Sequence, residues 1–278
     1  MEKDLKLLSM EIRRDILKMA YMAGGSHIAP SFSCVEILVG LYFGGVLRYR
    51  PDEPDWKQRD RFILSKGHAS AALYAVLSKS GYFDKSMLDT YCTNGTTLGG
   101  HPKMGDIPGV EASTGALGHG LLFGAGIALA AQKDKLDYNV YVLLGDGECQ
   151  EGSIWECALF SAQAGLKNLT AIIDYNKLQA MDKLSNIVGM ESMADKWKAF
   201  GWQVEEVDGH DALSLSESLK KNRGKGSAPH LIIAHTTKGK GLSFMEDKPI
   251  WHYRMPDKSE MEIALKELEF EDREWLKK

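Results

Sequence analysis

The apolar run Tyr141-Val-Leu-Leu144 breaks off in Gly145-Asp146-Gly147, and a second run, Leu169-Thr-Ala-Ile-Ile173, ends in Asp174-Tyr-Asn176. Short apolar runs bounded by turn residues read as buried strands, so the Gly-Asp-Gly break sets a carboxylate on a tight turn at a strand's carboxyl end. If the two strands are neighbours running the same way, Asn176 reaches the same sheet edge as Asp146. An Asp oxygen, an Asn carbonyl and a nearby backbone carbonyl are hard donors. Such a set suits Mg²⁺ shared with an anionic ligand. The glycines let the backbone approach that ligand where a Cβ would clash. A lone Gly-Asp-Gly is most often only a turn; the second strand and its Asn make the pattern specific.

Along the chain, helix and strand signals alternate, which predicts an α/β fold with a parallel sheet covered by helices on both faces. Ser33-Cys-Val-Glu36 reads as a capping box, followed by Ile37, Leu38, Leu41 and Tyr42 on one helical face. Arg61–Ser65 is a strand candidate, and a helix over about 69–80 ends at Gly81. The glycine-rich connection from Gly95 to Gly120 is long for a compact domain and is expected to be functional. A small-residue helix over about 121–132 follows it. A second capping box, Ser153-Ile-Trp-Glu156, opens a helix that Gly165 closes, and Trp202–Val207 and His230–His235 are the later strands. The expectation is one domain over 1–278 with a C-terminal arm from about Ser243.

Composition excludes several classes. Apolar residues at 44% and charged residues at 26% are ordinary globular usage, not disorder. A formal net charge of −4 with both signs dispersed leaves no basic patch for nucleic acid. The longest apolar run, Leu121 to Ala131, is well short of the ~20 residues that span a bilayer, and the charged N-terminus lacks a signal peptide's apolar core. Cys34, Cys92, Cys149 and Cys157 form no CxxC pair or disulfide framework and read as reduced thiols of a cytoplasmic protein.

Four of the eight histidines stand in loop contexts: Gly25-Ser-His27-Ile-Ala-Pro30, Ser65-Lys-Gly-His68, Gly99-Gly-His101-Pro102 and Trp251-His252. Singly, each is most simply a loop side chain with a local hydrogen bond. As a set beside the Asp146/Asn176 pair, they can donate to phosphate and sugar hydroxyls or shuttle protons. None has the spacing of a zinc site. His119, His210, His230 and His235 carry no assigned role.

Taken in order, these features resemble the N-terminal, diphosphate-binding half of transketolase over nearly the whole chain. They are the His27 turn, Ser65-Lys-Gly-His68-Ala, Gly100-His101-Pro102, Ser113-Thr-Gly115-Ala-Leu117-Gly-His-Gly120, the Gly-Asp-Gly…Asn signature, Thr237-Lys238-Gly-Lys-Gly241 and Trp251-His252. Two departures are minor: the first turn has Ser26 before His27, and His119 replaces a frequent Gln. The resemblance implies thiamine diphosphate with Mg²⁺ bound by Asp146, Asn176 and the Leu178 carbonyl. It implies cofactor contacts from His68, Gly115, Ala116, Leu117, Gly147, Glu148, Asn176, Lys238 and His252. His27, His101 and His252 would be catalytic, around the sugar oxygen where charge develops. Glu151 is expected to support the metal loop from behind.

In this family a glutamate from a separate pyrimidine-binding domain activates the cofactor. After His252 only a charged, helix-like tail over Lys258–Lys278 remains, with no room for a further domain of ~100–150 residues. The complement is therefore expected on a second polypeptide, in an α2β2 assembly. The resemblance implies the N-terminal-type, diphosphate-binding subunit of a split transketolase. Such an enzyme transfers a two-carbon ketol unit from a phosphorylated ketose to an aldose. Alternatives are an E1 α-type component of a 2-oxo-acid dehydrogenase, a deoxyxylulose-phosphate-synthase-like protein, or a non-catalytic phosphate-binding module. The last lacks support, since no GxGxxG opens the first βα unit and no GxxxxGK[ST] exists.

Overall fold

In the computed structural model, which describes residues 2–271 and 273–277, five parallel strands form one sheet. They are β1 (Arg61–Leu64), β2 (Val140–Gly145), β3 (Leu169–Tyr175), β4 (Gln203–Asp208) and β5 (His230–His235), in the order β1-β2-β3-β5-β4. Ten α-helices accompany them among the described residues: α1 (Glu2–Met22), α2 (Ile28–Ser33), α3 (Val35–Phe43), α4 (Ser70–Lys79), α5 (Gly120–Lys133), α6 (Gly152–Gln163), α7 (Leu184–Ile187), α8 (Met193–Ala199), α9 (Ala212–Asn222) and α10 (Lys258–Glu267). Strand side chains alternate between faces, and the core divides accordingly. Tyr141, Leu143, Ile172, Ile232 and Ala234 pack with α1–α4, α9 and α10, whereas Val140, Val142, Leu144, Ala171, Ile173 and Ile233 pack with α5, α6 and α8. Both faces are therefore covered, as the run of apolar strands predicts.

Register places the chemistry. Gly145 lies beside Asp174, and Asp174 and Tyr175 lie beside Ala234 and His235. Asp146, Asn176 and Thr236 therefore leave the same carboxyl edge, where open parallel sheets bind ligands. β1 and β4 are the edge strands; on β4, Glu205, Glu206 and Asp208 put charge along a ladder that lacks one neighbour. Residues from Ser243 onward, expected as an arm, bury Trp251, Met261 and Leu265 in the first cluster. Residues 272 and 278 of the expected tail lie outside the described residues.

Neither expected capping box forms. The residue before α3 is Cys34, with no side-chain cap; Ser33 Oγ instead donates to Asp174. The Glu36 carboxylate is taken by Arg13, an ion pair stronger than a cap to one backbone N–H. α6 starts behind Glu151, and Ser153 Oγ donates to the Gly118 carbonyl. Among the described residues a capping box forms at Asp257/Glu260, opening α10. The longest helix, α1, is missing from the sequence-based expectations, although Leu5, Ile12, Ile16 and Met19 recur at helical spacing and are buried. Among the described residues no helix is long and apolar enough to cross a membrane.

Two glycines of α5 test the packing. A Cβ on Gly124 would lie 2.4 Å from Val142 Cγ2 on β2, whereas one on Gly126 would meet nothing within 4 Å. Gly124→Ala should therefore destabilise the chain by about 1–3 kcal/mol through overpacking. Gly126→Ala should stabilise it by about 0.5–1 kcal/mol through helix propensity. Urea unfolding of the two variants checks both signs.

Candidate active site

The carboxyl edge of the sheet is organised by a buried ion pair. Lys66, 1% exposed, directs its ammonium at Asp174, 0% exposed, and to the Pro30 carbonyl at 2.9 Å. Asp174 also accepts from Ser33 Oγ at 2.5 Å and from Thr236 Oγ1. The turn after β1, the ends of β3 and β5, and α2 thus converge on one carboxylate. Burial opposes that charge, but the Lys66 ammonium and these hydrogen bonds outweigh it and hold Asp174 below the usual carboxylate range. Asp174 likewise outweighs the burial penalty on Lys66 and raises its pKa. Neither residue carried a sequence-based role. The available signal was a lysine between a buried strand and a buried helix, which needs an internal counter-ion.

Asp146 is the second buried carboxylate, and it lacks such a partner. One oxygen accepts from the Gly147 N–H at 2.7 Å and the other from the Lys177 N–H. Burial and then the Asp174 charge raise its pKa to about 7. Asn176 stands alongside; its amide nitrogen lies 3.4 Å from Asp174, and its oxygen accepts from the Leu178 N–H at 3.1 Å. That amide orientation turns the nitrogen to Asp174 and leaves the oxygen, which accepts from one N–H, as a further hard donor. The Leu178 carbonyl accepts from Lys238 Nζ at 3.2 Å, so a metal there would compete with that ammonium. A carboxylate, an amide oxygen and a carbonyl, with charge pressure on the carboxylate, fit a divalent cation. A cleft of about 490 Å³ opens beside Asn176 and Leu178, lined also by Lys183, Glu191 and Thr237.

The loop histidines converge around His27. Ring centroids lie 5.3 Å from His27 to His68, 6.1 Å to His101 and 5.2 Å to His252, and His68 lies 5.3 Å from His252. Burial, then the neighbouring charges, lowers His27 to about 4 and His252 to about 3, and His68 falls well below its ordinary value. These three are accordingly neutral at physiological pH, so they offer directed hydrogen bonds rather than cationic contacts. Lys238, with its pKa lowered to about 8 by burial and then by Lys66, is the cation among them. Its ammonium lies 2.9 Å from His252 Nδ1; an ammonium only donates, so the His252 proton resides on Nε2. His101 is exposed at the rim.

The glycine-rich connection closes over this group. A Cβ on Gly67 would come within 2.8 Å of the Gly115 nitrogen, and Gly115, at φ 146°, would push one to 3.0 Å from the His101 ring. Gly115, Ala116 and Leu117 are exposed. Gly147 is half-buried at the base. Glu148 lies beneath the loop, its oxygens accepting from Ser65 Oγ, from the Gly118 N–H at 2.9 Å and from the Gly145 N–H at 3.1 Å. Glu148 thus makes the loop-supporting contacts expected of Glu151, which is exposed at the start of α6. The sequence-named residues gather at one edge, and the hidden additions are Lys66, Asp174, Ser33 and Thr236.

Two stability effects follow from these charges. In the unfolded chain Asp146 loses its proton near ~4. In the folded chain it keeps the proton up to about 7, so its contribution to stability falls between those values and is fully adverse above them. Asp146→Asn should therefore raise the melting temperature of the metal-free chain more at pH 8 than at pH 5. The gain is bounded on the order of 4 kcal/mol, from about three pKa units. Lys66→Met strands Asp174 and should cost about 3–5 kcal/mol. Thermal melts across pH read both.

Comparison with known proteins shows the family. Residues 10–274 match the transketolase, thiamine diphosphate binding domain family. The chain is 43% identical over 264 residues to one subunit of the apulose-4-phosphate transketolase of Phocaeicola vulgatus, covering 95% of this chain and 93% of that protein. It is 40% identical over 271 residues to the 6-deoxy-6-sulfo-D-fructose transketolase subunit SqwG of Clostridium sp., covering 96% and 97%. The transketolase of Campylobacter jejuni superposes with a TM-score of 0.89 at 29% identity, over 96% of this chain and 43% of that one. The chain thus spans less than half the length of that solved transketolase. On residues, fold and sheet edge together, this chain belongs to the transketolase family, as its thiamine-diphosphate-binding domain.

Proposed function

We propose that this chain is the diphosphate-binding subunit of a two-chain transketolase that moves a two-carbon ketol unit from a phosphorylated ketose to an aldose. The observation that carries the reading is the single edge at which the Asp146/Asn176 pair, Lys238 and the four histidines meet. The two-chain form is supported by relatives that are named as transketolase subunits and match end to end, while human transketolase, 35% identical, is matched over only 42% of its length. The relatives of Phocaeicola vulgatus, Clostridium sp. and Pongo abelii are named as transketolases or their subunits, so the E1-type and deoxyxylulose-phosphate-synthase-like readings are not favoured. An α2β2 assembly with a pyrimidine-binding partner and a cytoplasmic setting complete the proposal.

In this reading Asp146, Asn176 and the Leu178 carbonyl would hold Mg²⁺, and the Gly147 N–H, His68, Lys238 and His252 would face the diphosphate. Gly115, Ala116 and Leu117 line the ring end. Bound there, thiamine diphosphate would supply the electron sink for cleaving and forming the carbon–carbon bond. The protein's task is to hold and to donate. Neutral His27 and His252 and the rim residue His101 would present N–H groups or proton carriers to the sugar oxygen on which charge develops. Glu148 keeps the glycine-rich loop seated by its bonds to Ser65 and Gly118.

Ketol transfer should be absent from the purified chain and restored by adding a second polypeptide that carries a pyrimidine-binding domain. Robust turnover by the chain alone, of verified purity, would overturn the two-chain reading. In the assembled enzyme, His101→Ala should lower kcat by about 10²–10⁴-fold with cofactor affinity near normal. Asp146→Ala should abolish Mg²⁺-dependent cofactor binding, and Asn176→Ala should weaken it less because the lost ligand is neutral. Loss of cofactor but not of saturated turnover in His101→Ala would remove that histidine from the catalytic set.

A further inference from the structure

The loop carrying Lys238 is clasped at both ends by a buried cluster outside the cofactor edge. Glu36 on α3 forms a two-pronged pair with Arg13 of α1, at 2.6 and 2.8 Å. Arg13 Nε donates to the Lys240 carbonyl at 2.8 Å, at one end of the loop. At the other end stands His210, in the turn between β4 and α9. Its Nδ1 lies 3.0 Å from Glu36 Oε2, and its Nε2 lies 2.7 Å from the Thr237 backbone nitrogen. A backbone N–H only donates, so Nε2 accepts and the His210 proton must sit on Nδ1, directed at Glu36. Burial disfavours the Glu36 charge, yet Arg13 and His210 bring its pKa down to about 2, so the carboxylate selecting this tautomer stays ionised through neutral pH. One carboxylate therefore anchors two arms that grip Thr237 and Lys240 on either side of Lys238.

We propose that His210 is a positioning residue for the diphosphate-facing cation: through Nε2 it fixes the Thr237 amide, and with it the stem of Lys238, while Glu36 supplies the tautomer this requires. The proposal rests on the reading that Lys238 faces the diphosphate. The bond to the Thr237 N–H lies immediately before Lys238 in the chain, so its loss frees the backbone from which the ammonium is aimed.

Asparagine at 210 can keep a donor near the Nδ1 position but has no acceptor near Nε2, whereas glutamine can place an acceptor near Nε2. Amide hydrogen exchange over residues 236–241 is measured on the full chain for wild type, His210→Asn and His210→Gln. Binding of thiamine diphosphate with Mg²⁺ is then measured on the chain assembled with its partner. His210→Asn should speed exchange of the loop and raise the half-saturating cofactor concentration, each by about tenfold, as for loss of one buried hydrogen bond. His210→Gln should stay near wild type in both. Wild-type exchange in His210→Asn, equal opening in both variants, or an opened loop with unchanged cofactor affinity each overturns the role of His210. A Lys238→Ala variant that binds cofactor like wild type would instead defeat the diphosphate assignment of Lys238. The exchange comparison would still decide whether His210 holds the loop.

Discussion

The Lys66–Asp174 ion pair is the constraint from which the rest of this sheet edge follows. Two opposite charges taken out of water are costly unless their remaining valences are filled. Here they are filled by the Pro30 carbonyl and by Ser33 and Thr236. Pro30 and Ser33 lie on α2 and Thr236 follows β5, so satisfying one buried pair brings α2, the turn after β1 and the end of β5 into register. His27 precedes α2, His68 follows Lys66, and Lys238 follows Thr236. The positions of three site residues are thus consequences of how one buried charge is neutralised.

The same pair leaves Asp146 unbalanced. Because Lys66 is committed to Asp174, the nearby Asp146 accepts from two backbone N–H groups but, among the described residues, from no side-chain cation; burial first, and then the Asp174 charge, raise its pKa to about 7. The chain therefore carries a destabilising feature at the position proposed for a divalent cation. Perturbed carboxylates of this kind gather at functional edges because stability and binding ask opposite things of them. The neutral histidines belong to the same balance. With Lys66 and Lys238 nearby and little water, protonating them would add a third positive charge to a cramped site.

Support for the loops comes from carboxylates that are not themselves at the mouth. Glu148 gathers the Gly118 and Gly145 amides under the glycine-rich connection, and Glu36 gathers Arg13 and His210 behind the Lys238 loop. Two long, poorly regular segments are thereby seated without strands or helices of their own. A backbone that must approach a phosphate needs open amides, which regular structure would consume.

The sequence by itself determined the parallel α/β architecture, the strands that carry Asp146 and Asn176, and the family. Those are encoded locally, in apolar runs of strand length, in turn glycines and in ordered motifs. His27, His101 and His252 were legible as loop histidines for the same reason. Only the tertiary structure decided what Ser33, Glu36, Ser153, Lys66 and His210 do. Two of the readings that failed, the capping boxes at Ser33 and Ser153, were locally reasonable. Ser33 found Asp174, Glu36 found Arg13, and Ser153 found the Gly118 carbonyl, partners distant in the chain. A cap is worth about 1 kcal/mol, whereas a buried charge left unpaired costs several. Side chains that could serve either purpose were therefore drawn to the buried charge at two of these positions. Long-range pairing of that kind has no periodicity, so it leaves no mark in a sequence read along its length.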